Sequence, residues 1–207
     1  MPDPIRILPP TRPRLTEAEL LQLLQPYNID MDEYPLLVVG VRGYYAGTMG
    51  TTPGNDRGIY DDAIFVYAEK RAAFPGVFKA FNGNTDPSRL KTGAGFGEGK
   101  GMAQLRPGVW CSYRFDTHNS KVRPHPAICQ RAAPVSVMRD GNPPYEDSGM
   151  FGINIHCGGN YKTSSEGCQT LPPSQWDEFI ATAEGAGREL FGQQWKNRVV
   201  AYVLVEN

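Results

Sequence analysis

At 207 residues the chain is long enough to bury one sizeable core and reads as a single domain with a short extension. Its 21 basic against 22 acidic side chains give no basic field for nucleic acid and no polybasic membrane anchor. Hydrophobic residues at 40% against 21% charged exclude bulk disorder, while 23 glycines and 18 prolines favour β structure with long loops over long helices.

Residues 1–14 are rich in proline and basic side chains and read as an extended arm that becomes ordered only by docking; residues 15–207 read as the domain proper. No N-terminal stretch joins a basic start to an apolar core, and no apolar run approaches about 18 residues, so neither a secretory signal nor a membrane span is expected. Thr16-Glu17-Ala18-Glu19 is a capping box, and the leucines at 15, 20, 21, 23 and 24 form an apolar stripe, so a helix should run to about Gln25, before Pro26. Leu36 to Tyr45 is β-branched and aromatic and predicts a buried strand, followed by a loop from Ala46 to Gly58. Ala63 to Ala68 and Val77 to Phe81 predict two more strands, the second ending in the turn Asn82-Gly83-Asn84. The run Gly95-x-Gly97-x-Gly99 lacks the strand-turn-helix context of a nucleotide site. Val109 to Phe115 and Ala133 to Arg139 predict further strands. His118 and His125 show no ligand spacing, so no metal and no cofactor is expected. After Leu171-Pro172-Pro173, Ser174 should cap a helix carrying Trp176, Phe179 and Ile180 and ending near Gly185 or Gly187; Val199 to Val205 should be a terminal strand.

The stretch from Gly149 to Cys168 carries the chemistry. Gly152-Ile153-Asn154-Ile155-His156 alternates like a short strand, with Ile153 and Ile155 on one side and Asn154 and His156 presented on the other. Gly158, Gly159 and Asn160 end it, and Thr163 to Cys168 is a small-residue turn that lets backbone approach a ligand. A thiol with an ordinary pKa of about 8.5 is only partly ionised at neutral pH, and an adjacent imidazole can take its proton and hold a thiolate–imidazolium pair. On this reading Cys168 is the nucleophile and His156 the base. The backbone N–H groups of Gly167 and Cys168 are oxyanion donors, and Ser165, Asn154 and Arg139 are substrate contacts, Arg139 toward a carboxylate. A rival reading pairs Cys157 with Cys168 and Cys111 with Cys129 as disulfides.

Ile155-His156 with Ser165-Glu166-Gly167-Cys168, preceded by Leu105-Arg106-Pro107-Gly108-Val109-Trp110, resembles the catalytic domain of the YkuD-type L,D-transpeptidases. That family's signature is a strand-borne His, a loop and Ser-x-Gly-Cys, with a Thr-Pro-x-Gly-x-aromatic hairpin upstream. The likeness runs from about Ala63 to Leu171. Three features depart from it: Cys168 follows His156 at a spacing of only 12 positions, Glu166 stands where a second His is common, and Gln169-Thr170 replaces the usual hydrophobic residue followed by Asn or Arg. The string Ile-His-x-Gly-Gly with Ser-Glu-Gly-Cys-Gln-Thr is most similar to small wall-lytic proteins of bacteriophages.

The resemblance implies a mostly β fold, sandwich- or barrel-like, with a few peripheral helices, α+β by content. It implies a cysteine-dependent hydrolase acting on peptidoglycan stem peptides: a bacteriolytic endolysin, monomeric, without nucleic-acid partner or stable membrane association. Such a protein is made in the host cytoplasm and acts in the periplasm or wall after release. The short loop and the departures after Cys168 point to net hydrolysis over transfer. The alternatives are a true L,D-transpeptidase, a secreted antibacterial toxin of the same fold, or a non-catalytic virion or wall-binding module in which Cys168 is structural. A papain-like amidase places Cys before His, the reverse of the order here.

Overall fold

The computed structural model describes residues 7–45, 49, 57–94, 99–119 and 124–206. The fold is mostly β, with 36% of residues in strands against 19% in helix, as the composition predicts. A first helix, α1 (Glu17–Leu24), opens on the expected capping box: the Glu19 N–H donates to Thr16 Oγ1 (3.3 Å) and the Thr16 N–H to Glu19 Oε2 (2.7 Å). Such a cap is worth about 1 kcal/mol. There follow β1 (Leu37–Arg42), β2 (Asp62–Ala68), β3 (Val77–Gly83), β4 (Ala103–Leu105), β5 (Gly108–His118), β6 (His125–Gln130), β7 (Val135–Arg139), β8 (Tyr145–Gly149), β9 (Ile155–Cys157) and β10 (Gln169–Leu171). The second long helix, α2 (Pro173–Phe191), and β11 (Val200–Glu206) complete the chain.

Eight strands form one sheet in the order β10-β9-β6-β5-β11-β1-β2-β3. Asn84, one residue past β3, bridges Thr170 of β10 through two backbone hydrogen bonds of 2.8 Å, so the sheet curls almost into a closed barrel. A separate sheet has the order β4-β7-β8. β1 is buried along its whole length because both its faces are covered. Leu37, Val39 and Val41 pack with Leu20 and Leu24 of α1, and Leu36 and Val38 join the larger cluster that includes Trp176 and Phe179 of α2. That two-sided burial is why the sequence reads as a continuous apolar run there.

The helix α2 outlasts its predicted end. Trp176, Phe179, Ala183 and Ala186 are buried at helical spacing straight through Gly185 and Gly187, and this packing outweighs a propensity loss of about 1 kcal/mol per glycine. Its N-cap is Pro172, with no side-chain cap from Ser174. β4, β6, β8 and β10 escaped the sequence reading: β4 and β10 span three residues each, β8 is polar, and β6 opens on His125-Pro126, where proline argues against a strand. β8, Tyr-Glu-Asp-Ser-Gly, is held by its backbone ladder to β7 and not by apolar burial. Residues 7–14 of the arm are docked: the Ile7 carbonyl accepts from the Tyr60 N–H (2.7 Å), and the Thr11 carbonyl from the Tyr45 hydroxyl (2.9 Å) and Asn82 Nδ2 (3.1 Å). Residues 1–6, most of the predicted 46–58 loop and residues 95–98 of the glycine run lie outside the described residues.

Candidate active site

The predicted base sits on β9, and the predicted nucleophile directly precedes β10, its parallel neighbour. β9 and β10 pair with Gln169 opposite Ile155 and Thr170 opposite His156, and Ile155 and Leu171 fasten both strands to the core. One residue earlier, Cys168 lies beside Asn154: the Gln169 N–H donates to the Asn154 carbonyl (2.8 Å) and the Asn154 N–H points at Cys168 Sγ (3.4 Å). His156 lies two residues beyond Asn154 along that side of the pair.

The thiol is half-buried, and its proton faces the Gly152 carbonyl (3.5 Å). Burial pushes its pKa up to about 11 against the pull of the Asn154 N–H, with Glu166 adding to the rise. Sγ makes its hydrogen bonds to Asn154 and Gly152, and none joins it to His156. The preformed thiolate–imidazolium pair expected from the motif is therefore replaced at rest by a neutral thiol. Gln130 sets the carbonyl that receives it. Its buried Oε1 accepts from the N–H groups of Phe151 (3.0 Å), Gly152 (2.9 Å) and Ile153 (3.2 Å), and the last of these shares its peptide plane with the Gly152 C=O. All four cysteines are free thiols, so neither predicted disulfide forms.

His156 is buried, only 7% exposed, where the alternation predicted a presented ring. The regular strand begins at Ile155, and neighbouring rings cover the imidazole. Its Nδ1 lies 2.8 Å from the carbonyl of Cys157, which accepts a proton there and leaves Nε2 as the basic nitrogen. Burial, followed by the nearby His118, drives its pKa down to about 3; the Cys157 carbonyl opposes this and His125 adds to it.

The structure also gathers the two histidines that sequence reasoning set aside. In the β5–β6 hairpin His118 pairs with His125. The His118 ring lies flat on His156, with centroids 4.0 Å apart and planes within 5°. His125 stands 5.4 Å from His118 and 5.9 Å from His156, edge-on to Trp176. Hydrogen bonding fixes the tautomers. Asn154 Oδ1 accepts from the Gln130 N–H (3.0 Å), so its Nδ2 faces His118 Nδ1 (3.0 Å), and the His118 proton resides on Nε2. His125 Nε2 accepts from the Cys157 N–H (3.2 Å). Imidazole lone pairs lie in the ring plane, so two parallel stacked rings cannot aim at one ion; among the described residues no group of His, Cys, Asp and Glu is arranged to hold a metal. The signal that would have found His118 was strand length: β5 runs three residues beyond Phe115, to His118.

The remaining predicted contacts shape the site from within. Ser165 is buried, its Oγ donating to the Cys168 carbonyl (2.6 Å) and accepting the Gly167 N–H (3.0 Å). The Gly167 N–H is thereby engaged and is no oxyanion donor, which leaves the Cys168 N–H for that role. Gly167 has φ +151°, and a Cβ there would lie 2.5 Å from the Ala103 carbonyl oxygen, so the turn before the thiol requires glycine. Asn154 is buried and works through its hydrogen bonds to Gln130 and His118. Arg139 is buried as well, bonded to Asp147 (3.0 Å) and the Gly101 carbonyl (3.1 Å) with the Phe151 ring 4.6 Å away, so it serves an internal ion pair in place of the expected substrate carboxylate. The loop between base and nucleophile is tied down where the Tyr60 hydroxyl donates to the Gly159 carbonyl (2.7 Å), and Tyr161 projects into solvent from it. A cavity of about 660 Å³ lined by Leu15, Tyr27, Val41 and Tyr44 lies beside α1 and includes none of these site residues. Compared with protein-family models, with curated proteins and with solved structures, the chain matches none.

Proposed function

We propose that the chain is a cysteine-dependent peptidase acting on the peptide stems of peptidoglycan, related to the YkuD-type L,D-transpeptidases and serving as a bacteriophage endolysin. The observation that carries this reading is the anchoring of His156. With Nδ1–H held by the Cys157 carbonyl, Nε2 is a neutral base on the strand that pairs with β10, which Cys168 directly precedes. The substrate class and the nucleophile–base pair come from the resemblance of the Ile-His and Ser-Glu-Gly-Cys segments, and the hydrogen bond at Nδ1 supports Nε2 as the basic nitrogen.

In the mechanism the thiol turns from the Gly152 carbonyl toward His156 Nε2, which takes its proton as Sγ bonds to the amide carbon. Apo hydrogen bonds of this kind commonly form only once substrate is bound. The Cys168 N–H faces the developing oxyanion, a donor of the sort whose removal costs roughly 2.7–4 kcal/mol elsewhere. The imidazolium then protonates the leaving amine as the C–N bond breaks, giving a thioester. Water, deprotonated by the same Nε2, releases the carboxylate and restores the thiol. Mass spectrometry of purified muropeptides incubated with the protein tests this: cleaved stems with the wild type and none with Cys168→Ala are expected, and intact stems with both overturn it.

A second reading is favoured by one observation. A half-buried thiol pushed up to about 11 and bonded to backbone suits a structural cysteine in a wall-binding module. Wall binding that survives Cys168→Ala, with no cleavage product from the wild type, selects that reading.

A further inference from the structure

We infer that His118 is a positioning residue of this site, holding the ring plane of His156 by face-to-face stacking while Asn154 fixes its own ring. The inference rests on the peptidase reading for its consequence in turnover, but its geometry stands apart from it. His156 is tied by one hydrogen bond at Nδ1, and a ring held at one point can still rock about that bond. A second flat ring 4.0 Å away and parallel within 5° blocks the rocking and excludes water from one face.

A stack alone would accept any flat ring, and the next contact sets the plane and charge of this one. Asn154 Nδ2 donates to His118 Nδ1, and the Asn154 amide cannot flip without losing the Gln130 N–H from its Oδ1. Protonating His118 at Nδ1 would break that bond, so the ring is kept neutral beside a base that must itself become charged. A neutral π face is attractive to the imidazolium that forms during turnover, whereas a charged one would repel it. The same Asn154 lends its backbone N–H to Cys168 Sγ. One residue thus sets the nucleophile and, through His118, the base.

Two measurements on the full chain test this. Long-range ¹H–¹⁵N spectra of the imidazoles should show the proton on Nε2 in His118 and on Nδ1 in His156. In His118→Ala the His156 tautomers should average. A proton on Nδ1 of His118, or an unchanged His156 in the variant, overturns the inference without any assay of cleavage. On a stem peptide, His118→Ala should lower kcat at least about tenfold with KM within about twofold, and His118→Phe, which restores a flat ring, should recover most of it. A kcat unchanged in His118→Ala, or no recovery in a folded His118→Phe, overturns it as well. Absence of all cleavage by the wild type would defeat the peptidase reading and leave the spectra to decide on His118.

Discussion

The backbone N–H of Asn154 points at the sulfur of Cys168 from 3.4 Å, across the first step of a parallel strand pair. That single donor does not offset burial, and the thiol remains protonated at neutral pH. The rate of iodoacetamide labelling at Cys168 should therefore climb about tenfold per pH unit between about pH 7 and pH 10, as the thiolate fraction rises. Peptide mapping of the alkylated protein measures it. A rate already level by about pH 8 would mean a pre-ionised nucleophile, as the motif alone suggests.

For the proposed peptidase, the pH profile follows from the neutral pair. His156 acts as a base when unprotonated, which with its pKa pushed down to about 3 holds through mildly acid solution. The value of kcat/KM on a stem peptide should stay on a plateau from about pH 5 to pH 9. An acid limb near the ordinary histidine value of about 6.5 contradicts the burial of His156. His156→Ala and Cys168→Ala should each abolish turnover, and the double variant should be no worse, because the pair acts as a unit.

The same ring makes folding stability depend on pH. Its folded pKa is depressed, so below about pH 6.5 the unfolded chain binds a proton that the native state refuses. The contribution is complete above the unfolded value and is lost as pH falls toward the folded one. Between about pH 6.5 and pH 4.5 urea denaturation should show the wild type losing roughly 2 kcal/mol more than His156→Gln. Parallel losses in the two proteins would place the proton elsewhere.

Gly158 lies where the loop passes under Tyr60. A Cβ there would run into the Tyr60 hydroxyl and sit 2.9 Å from the Thr163 carbonyl oxygen. Gly158→Ala should cost more than the roughly 1 kcal/mol expected for Tyr60→Phe, which removes only the hydrogen bond to Gly159. Thermal unfolding of the two variants compares them, and the reverse order would show that the loop yields freely.

The reaction outcome is expected to favour hydrolysis over transfer. A transpeptidase must shield its thioester until an acceptor amine arrives, and here Cys168 follows His156 at a spacing of only 12 positions, across a loop whose Tyr161 points to solvent. Product analysis on a stem peptide with added D-amino acid decides it; a dominant exchanged product refutes the expectation.

The sequence made most of the frame legible. The apolar run from Leu36 and the alternation from Val199 predicted β1 and β11, because burial on both faces leaves its mark in composition. His156 falls on β9, and Cys168 directly precedes β10, the strand paired with it. What stayed hidden is what depends on partners distant in the chain. The burial of His156 comes from His118, 38 residues earlier, and the role of Gln130 from a turn about 20 residues later. Ser165 and Arg139 looked like substrate contacts because a polar side chain near a site reads the same whether it faces a ligand or its own backbone. Gly167 failed as an oxyanion donor for the same reason, since its N–H found Ser165 first.

Thr170 stands opposite His156 on one side and, through its backbone, meets Asn84 on the other. The edge of the barrel that directly follows Cys168 is thus also its seam: a three-residue ladder on one flank and a one-residue clasp on the other. The strand of His156 is joined to β6 just as sparingly, at Ile128 opposite Ile155 alone. On the proposed reading, nucleophile and base therefore both stand where the barrel wall is stitched by single residue pairs.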